Sequence, residues 1–515
     1  MTATPQIAEP VRESVFRPAA LLMCGRILSF AATFFIPVVL VRVFNQAEFG
    51  TYKQLFLIQS TLYLVAQCGM ATSLYYFLPR TPQMAGRYIA NSILFLGGVG
   101  LAACVILTAA APSIARWMNN PNLSQYLFWI GIYLFLMTLA SALEMVLITR
   151  HRYLSASIAY ALSDLGRAAG FILPALFFGQ LVWLLKGAVI VAAVRVAYTL
   201  FYYRREFRGA LRPDFTLFKS QLAYAVPFGL AVLLEIVQGN LPSYVVAYLT
   251  DPATFAIFAV GCLQIPLVDF AASPTSDVMM VRMQECLAQT RLPAVVEIWH
   301  DTTWKLALLF FPLVALVAVA GHDLIVLLFT TKYLASVPIF IAWASMILLA
   351  PLQVDGVLRV FAETRLILVL NFVRVVIIAG LLKWSLNVFH LLGPVLVIFL
   401  ALFVFKVAAL VRMRKLLHVA TSNLLPWRKL SGIAVASASA AAIARAAQVA
   451  LHGPLLAELL LTGAVFSVSY AVLIWTFELR QSPEGAAILN VIGRYIRPFK
   501  GVERLGTPSC AESPE

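Results

Sequence analysis

Asn45-Gln-Ala-Glu-Phe49-Gly-Thr-Tyr52 and, about 206 residues later, Asp251-Pro-Ala-Thr-Phe255-Ala-Ile-Phe258 read as one turn used twice, a short polar segment leading into an aromatic-rich apolar helix. A second unit of the same length closes near Met413, so the chain divides into two similar halves. Internal repeats of this kind say more about architecture than a single motif does. With six helices in each half, both halves begin and end on the same side of a membrane. They are then parallel repeats about an axis along the membrane normal, an arrangement suited to alternating access around a central cleft.

The composition around the two turns requires a bilayer as solvent. Of 515 residues, 62% are hydrophobic and 12% charged, with a mean hydropathy of +0.89. Soluble domains carry about 25% charged residues, so too little polar surface is left to cover water-soluble domains. A spanning helix takes about 20 mostly apolar residues. Punctuation at Pro, Gly and charge clusters places fourteen, roughly 20–43, 54–77, 88–111, 125–148, 158–178, 181–203, 222–249, 255–280, 302–320, 337–361, 366–388, 391–413, 430–451 and 454–477. With both termini cytoplasmic, 25 of the 38 Lys and Arg fall on inner segments, 5 on outer ones and 8 within spans. That is the bias expected of cytoplasmic loops. The net charge of +15 therefore reads as membrane anchoring, and no nucleic-acid partner is expected.

The fold class that follows is an all-α polytopic membrane protein, two pseudo-symmetric six-helix bundles plus two C-terminal helices. A cytoplasmic segment over 1–19 precedes bundles at 20–203 and 222–413. A basic, helix-breaking linker at 204–221 joins them, as suits a domain boundary. Two further spans occupy 414–477, and 478–515 forms a cytoplasmic tail in which Arg494, Arg497 and Lys500 back an apolar face, an amphipathic helix on the inner leaflet. The six cysteines are scattered without a CxxC, so neither a disulfide framework nor a metal site is expected. No small-residue cleavage site follows the first apolar stretch, and the first helix is expected to be retained.

The stretch VRVFNQAEFGTYKQLFLIQ at 41–59, followed by GMATSLYYFLPR at 69–80, resembles the first-to-second-helix region of the polysaccharide transporter branch of the multidrug/oligosaccharidyl-lipid/polysaccharide exporter superfamily, which includes the Wzx-type O-antigen flippases. Further matches are LAYAVPFGLAVLL at 222–234 and HDLIVLLFTTKYLASVPIF at 322–340. The resemblance covers the whole chain in topology, twelve helices plus two. It implies a flippase that moves an undecaprenyl-pyrophosphate-linked oligosaccharide, an O-antigen or exopolysaccharide repeat unit, from the inner to the outer leaflet of the bacterial inner membrane. Membrane lipids, a polysaccharide polymerase and glycosyltransferases are the partners expected with it. No cofactor is expected beyond coupling to Na+ or H+.

Ionisable side chains at mid-bilayer cost roughly 2.5 to 3.5 kcal/mol each and are kept mainly where they face protein or water. Within spans lie Arg26, Arg167, Lys186, Arg195, Lys305, Arg374, Lys406 and Arg445, against Glu144, Asp164, Glu235, Asp269, Asp277, Asp355 and Glu458. A polar interior cavity explains that load economically. Residues three, four and seven apart share a helix face, which groups Arg26, Ser29 and Thr33 in the first span and Gln59, Tyr63 and Gln67 in the second. Glu235, Gln238 and Asn240 mark the seventh span, and Asp269, Ser273, Ser276 and Asp277 the eighth.

A pyrophosphate is best held by a charge that is always present and forks onto two oxygens, which is arginine chemistry. Arg26, Arg374 and Arg167 are the candidates, with Ser29, Thr33, Gln59 and Gln67 completing the cleft. Glu235, Asp269 and Asp277 are candidates for ion or proton coupling. Each has a plainer alternative. Arg26 can snorkel to the interface, Asp164 can neutralise Arg167 three residues on, and the carboxylates can pair with Arg374 or Lys305. Lys186, Lys305 and Lys406 lie within reach of an interface, and Arg195 is about half a turn out of phase with Lys186. No histidine lies mid-span, so a histidine proton relay is not expected. Tyr75, Tyr76, Phe77, Tyr202 and Tyr203 sit at inner span ends, where aromatic belts are expected.

Two rivals belong to other classes. A cation-coupled drug exporter of the same superfamily resembles this chain in fold, but a carboxylate would be expected in its first helix, where this sequence has Arg26. A multispanning polysaccharide polymerase or ligase would need a long outer loop with catalytic Arg or His, and the longest one expected here, 321–336, is short. No GxSxG, HExxH or P-loop pattern is present, so no catalytic residue is assigned.

Overall fold

Backbone N–H and C=O groups surrounded by lipid must pair within their own segment, and the chain meets that demand with helices. The structure, a computed structural model, describes residues 30–477 other than 31, 208, 451 and 452, and among the described residues there is no strand. The helices are α1 (Ala32–Val43), α2 (Gln46–Gln67), α3 (Met70–Arg80), α4 (Ala85–Ala109), α5 (Ala111–Trp117), α6 (Leu127–Leu139), α7 (Leu143–Thr149), α8 (Tyr153–Phe178), α9 (Leu181–Glu206) and α10 (Phe215–Leu249). They continue as α11 (Pro252–Gly261), α12 (Leu267–Ala288), α13 (Leu292–Phe329), α14 (Val337–Ser345), α15 (Val354–Val360), α16 (Thr364–Phe389), α17 (Leu392–Leu417), α18 (Thr421–Leu424), α19 (Trp427–Ala450) and α20 (Leu455–Phe477).

Eleven helical stretches among the described residues are long and apolar enough to cross a membrane, with α1 and α11 apolar but shorter. The protein is a multi-pass membrane protein. Each of the fourteen expected stretches is largely helix where it is described, although length and apolarity qualify only eleven. The expected outer loop at 321–336 is mostly helix. Its apolar run Leu324–Phe329 extends α13, and only a short 3-10 turn, Thr331–Ser336, remains.

Both copies of the repeated turn are helix starts with their first amides capped. Asn45 accepts from the Glu48 amide at 2.9 Å while Glu48 returns a bond to the Asn45 amide at 3.1 Å, a reciprocal capping box. Asp251 accepts from the amides of Ala253 and Thr254 at 3.0 and 3.2 Å. The two starts cross at contact distance. A Cβ on Gly50 would sit 1.8 Å from the Pro252 carbonyl oxygen, so only glycine lets α2 and α11 approach this closely.

Four expected spans are interrupted. α2 gives way to α3 at Cys68 and Gly69, both at positive φ (42° and 71°). The α-helix of the fourth span ends at Leu139 and that of the tenth at Ser345, 206 residues apart, the tenth running on as a 3-10 turn to Leu349. The eighth is divided between α11 and α12.

The chain forms two compact units. One comprises the described residues up to Pro266 with Gly321–Leu349 and Phe361–Arg412. Within it α3, α4, α7 and the end of α9 share a core of Leu74, Leu78, Ile89, Leu96, Val146 and Tyr203. α8 and α9 meet through glycines, since a Cβ on Gly187 would lie 2.2 Å from the Gly170 carbonyl oxygen. Close backbone approach at small residues is the usual route to helix packing where lipid removes the hydrophobic drive. The other unit comprises Leu267–Ala320, Ala350–Val360 and the chain from Met413. Its Ala- and Ser-rich α19 places Ala440 and Ala444 against Phe466 of α20, and Ile433 and Ala436 against Trp304 of α13. The Trp299 indole donates to the Leu424 carbonyl at 2.9 Å and the Tyr470 hydroxyl to the Leu308 carbonyl at 2.9 Å.

Candidate functional site

The candidates fall into charges matched inside a helix bundle and charges that protein leaves uncovered. Arg195 of α9 donates to Glu144 of α7 at 2.8 Å and to the Ser163 hydroxyl at 2.7 Å, with the carboxylate side chain 5% exposed. Arg167 pairs with Asp164 at 2.8 Å on α8, the local neutralisation its spacing allows. Tyr133, Ser163, Arg167 and Arg195 border a cavity of about 10 Å³, the room one water needs. Arg167 thus belongs to a compact ionic cluster. Arg195 and Glu144 are its members that the sequence reading did not single out. The available signal was a buried carboxylate on one span that needed a cation from another.

The polar stripes of α2 and α10 are brought together. Asn240 donates to the Thr61 hydroxyl at 2.8 Å, and Tyr244 to the Leu57 carbonyl at 3.4 Å. Gln59 and Gln67 are half-buried on the same helix, Gln67 immediately before the break at Cys68. α10 passes that break closely, since a Cβ on Gly229 would lie 2.8 Å from the Cys68 carbonyl carbon. On its other side Gln238 donates to the Asn371 carbonyl of α16 at 3.4 Å, three residues before the half-buried Arg374. Thr33 is half-buried on α1 and donates to the Phe30 carbonyl at 3.0 Å. Arg26 and Ser29 lie outside the described residues, as does the amphipathic tail.

Glu235 of α10, in the first unit, and Asp269 and Asp277 of α12, in the second, are exposed. None of the three takes part in an ion pair among the described residues. Lys305, one of their expected partners, instead pairs with Asp301 at 2.8 Å. A carboxylate on a spanning helix that protein neither covers nor pairs faces water at far lower cost than lipid.

Basic residues assigned to different inner loops gather at one end of the first unit. Arg87 pairs with Asp214 at 3.0 Å, and Glu206 takes Arg150 at 3.5 Å and Arg152 at 3.1 Å. Asp214 also caps α10. The amide of Leu217 first, then the Arg87 guanidinium, hold its carboxyl below the usual carboxylate range. At the turn opposite the loops, Arg42 donates to the carbonyls of Leu328 and Leu327 at 2.7 and 2.5 Å, and Gln46 to that of Lys332 at 2.6 Å. These bonds satisfy orphan carbonyls at the end of α13. Among the described residues no group of three His, Cys, Asp or Glu could hold a metal ion.

The family model described as "Polysaccharide biosynthesis protein" matches residues 39–338. No protein of curated function matches the sequence significantly. Among solved structures, the lipid II flippase MurJ in an inward closed conformation is similar over 87% of this chain and 99% of its own, at TM-score 0.65 and 11% identity. An inward-facing multidrug resistance MATE family transporter of the MOP superfamily is similar over 78% of this chain and 100% of its own, at TM-score 0.61 and 12% identity. The same family in an outward-facing conformation gives TM-score 0.53 at 13% identity over 78% and 95%. At such identities the likeness is one of fold.

Proposed function

The chain belongs to the polysaccharide biosynthesis protein family, a membrane transporter family of the MOP superfamily and not an enzyme family, and we propose that it flips an undecaprenyl-pyrophosphate-linked oligosaccharide, an O-antigen or exopolysaccharide repeat unit, from the inner to the outer leaflet. The observation that carries the reading is the course of α10. At mid-helix Glu235 is left uncovered, while Gln238 and Asn240 fasten the helix to α16 and α2. Such a helix suits the wall of a wet passage.

In this reading Arg26, Arg374 and Arg167 hold the pyrophosphate, with Arg167 sharing its charge with Asp164. Ser29, Thr33, Gln59 and Gln67 meet polar parts of the head group. Glu235, Asp269 and Asp277 take up Na+ or H+ as the cleft alternates its access. The protein sits in the inner membrane with both termini cytoplasmic, beside the glycosyltransferases that build the repeat unit and the polymerase that uses it.

The test is polysaccharide export in a strain carrying Arg374→Ala, Arg26→Ala or both, with membrane insertion confirmed. Loss of a forked charge-assisted contact removes about 1.5 to 3 kcal/mol, so each single variant should export about ten- to a hundredfold less, and the pair less still. Arg374→Lys should recover only part, because the ammonium cannot fork. Undiminished export by the double variant, or efflux of small cationic drugs in place of glycan, would overturn the reading.

A further inference from the structure

A cavity of about 850 Å³ opens at the basic end of the first unit, where the turn after α3, the start of α4, the N-cap of α8 and the end of α9 meet the loop after α9. Arg152, Arg205, Glu206, Tyr198, Phe201 and Tyr202 line it. The single carboxylate is already matched twice, by Arg150 and Arg152. Arg205 is exposed and has no ion pair among the described residues. Two guanidiniums line the cavity against one carboxylate that Arg150 also pairs, so the cavity carries a net positive charge. The Arg152 guanidinium also lies 5.8 Å over the Tyr202 ring, an aromatic wall beside the charge.

An apolar track leads along α9 to this cavity. Ile190, Val194, Tyr198 and Phe201 are 64%, 65%, 52% and 62% exposed, and their spacing of four, four and three puts them on one face. Tyr198 and Phe201 belong to both the track and the cavity lining. A positive cavity at the level of the basic loops, joined to an uncovered apolar stripe, matches a ligand with an anionic head and a hydrocarbon tail. We propose that it binds an anionic phospholipid, with the phosphodiester against Arg205 and Arg152 and an acyl chain along the α9 stripe. Basic pockets at the cytoplasmic face of helix bundles recognise such head groups. In this proposal the occupant is a bilayer lipid and not the transported substrate.

Full-length protein in detergent is titrated with tail-fluorescent phosphatidylglycerol and, in parallel, tail-fluorescent phosphatidylcholine. The expected result is a preference for phosphatidylglycerol that Arg205→Ala weakens about tenfold. A Val194→Ser/Tyr198→Ser pair should weaken binding through the track while leaving Arg205 in place. Phosphatidylcholine binding should be unchanged by Arg205→Ala. The wild-type preference is read without any substitution, so it tests the proposal even if a variant folds poorly. Equal binding of the two lipids, or an unchanged Arg205→Ala, would overturn it. So would displacement by millimolar inorganic phosphate, which would assign the cavity to a free anion, or by equimolar undecaprenyl diphosphate, which would assign it to the transported lipid.

Discussion

Asp251 shows how much of the turn rests on one carboxylate. Its hydrogen bond from the Thr254 hydroxyl, followed by those from backbone amides, holds its pKa below the usual carboxylate range. A depressed folded pKa adds stability that is complete above the unfolded value and is lost as pH falls through the folded one. Asp251→Asn keeps a capping oxygen but lacks the charge, so it should unfold somewhat below the wild type at pH 7, with the gap closing in acid. On acidification below about pH 4 the wild type should lose this contribution and the variant should not, read by tryptophan fluorescence in detergent. Asp251→Ala removes the cap outright and should cost about 1 kcal/mol at neutral pH. The Arg195–Glu144 pair makes a different demand. Arg195→Met strands a carboxylate that is 5% exposed and should cost about 3–5 kcal/mol, whereas Arg195→Met with Glu144→Met should regain most of it, as a thermal-unfolding cycle would show. Residues such as Arg167 could be placed from sequence because their partner is three positions away. Arg195 could not, since its partner lies 51 residues back and only packing brings the two together.

Among elements, apolar length fixed the helices, and their interruptions escaped notice. Hydropathy averages over a window, so it reads straight through Ala140 and Met346, each flanked by a single serine, Ser141 and Ser345. Only the Cys68-Gly69 break carried a glycine. α19 shows the reverse case. Its Ala and Ser content weakens it as an isolated lipid-facing span, yet it gives a close-packed seam because small residues admit Trp304 and Phe466. The contact of α2 with α11 is the most exacting. Gly50→Ala should force the helices apart and cost about 1–3 kcal/mol, lowering the unfolding temperature and export together. Gly98→Ala, with no atom within 4 Å of the added methyl, should do neither.

For the molecule as a whole, a run of apolar segments was enough to read an all-helical multi-pass membrane fold, because it reflects demands of the bilayer on the backbone. The cleft was less legible. A stripe on a helix says which residues share a face, but not whether that face meets lipid, protein or water. Glu235, Asp269 and Asp277 are uncovered and outside ion pairs among the described residues, and their coupling role is a proposal. Glu235→Gln should reduce export several-fold and flatten its dependence on the proton or sodium gradient, measured by varying each gradient separately in vesicles. Unaltered gradient dependence would remove Glu235 from that role.

α10 also contains Pro227 and Pro242 within one continuous helix. Each lacks an amide donor, so each is a point of low bending stiffness. Fifteen residues separate them, a little over four turns, so the two compliant directions differ by only about 60° of azimuth. Flexure at one therefore adds to flexure at the other instead of cancelling it, and the rod behaves like an archer's bow with Glu235 near the grip.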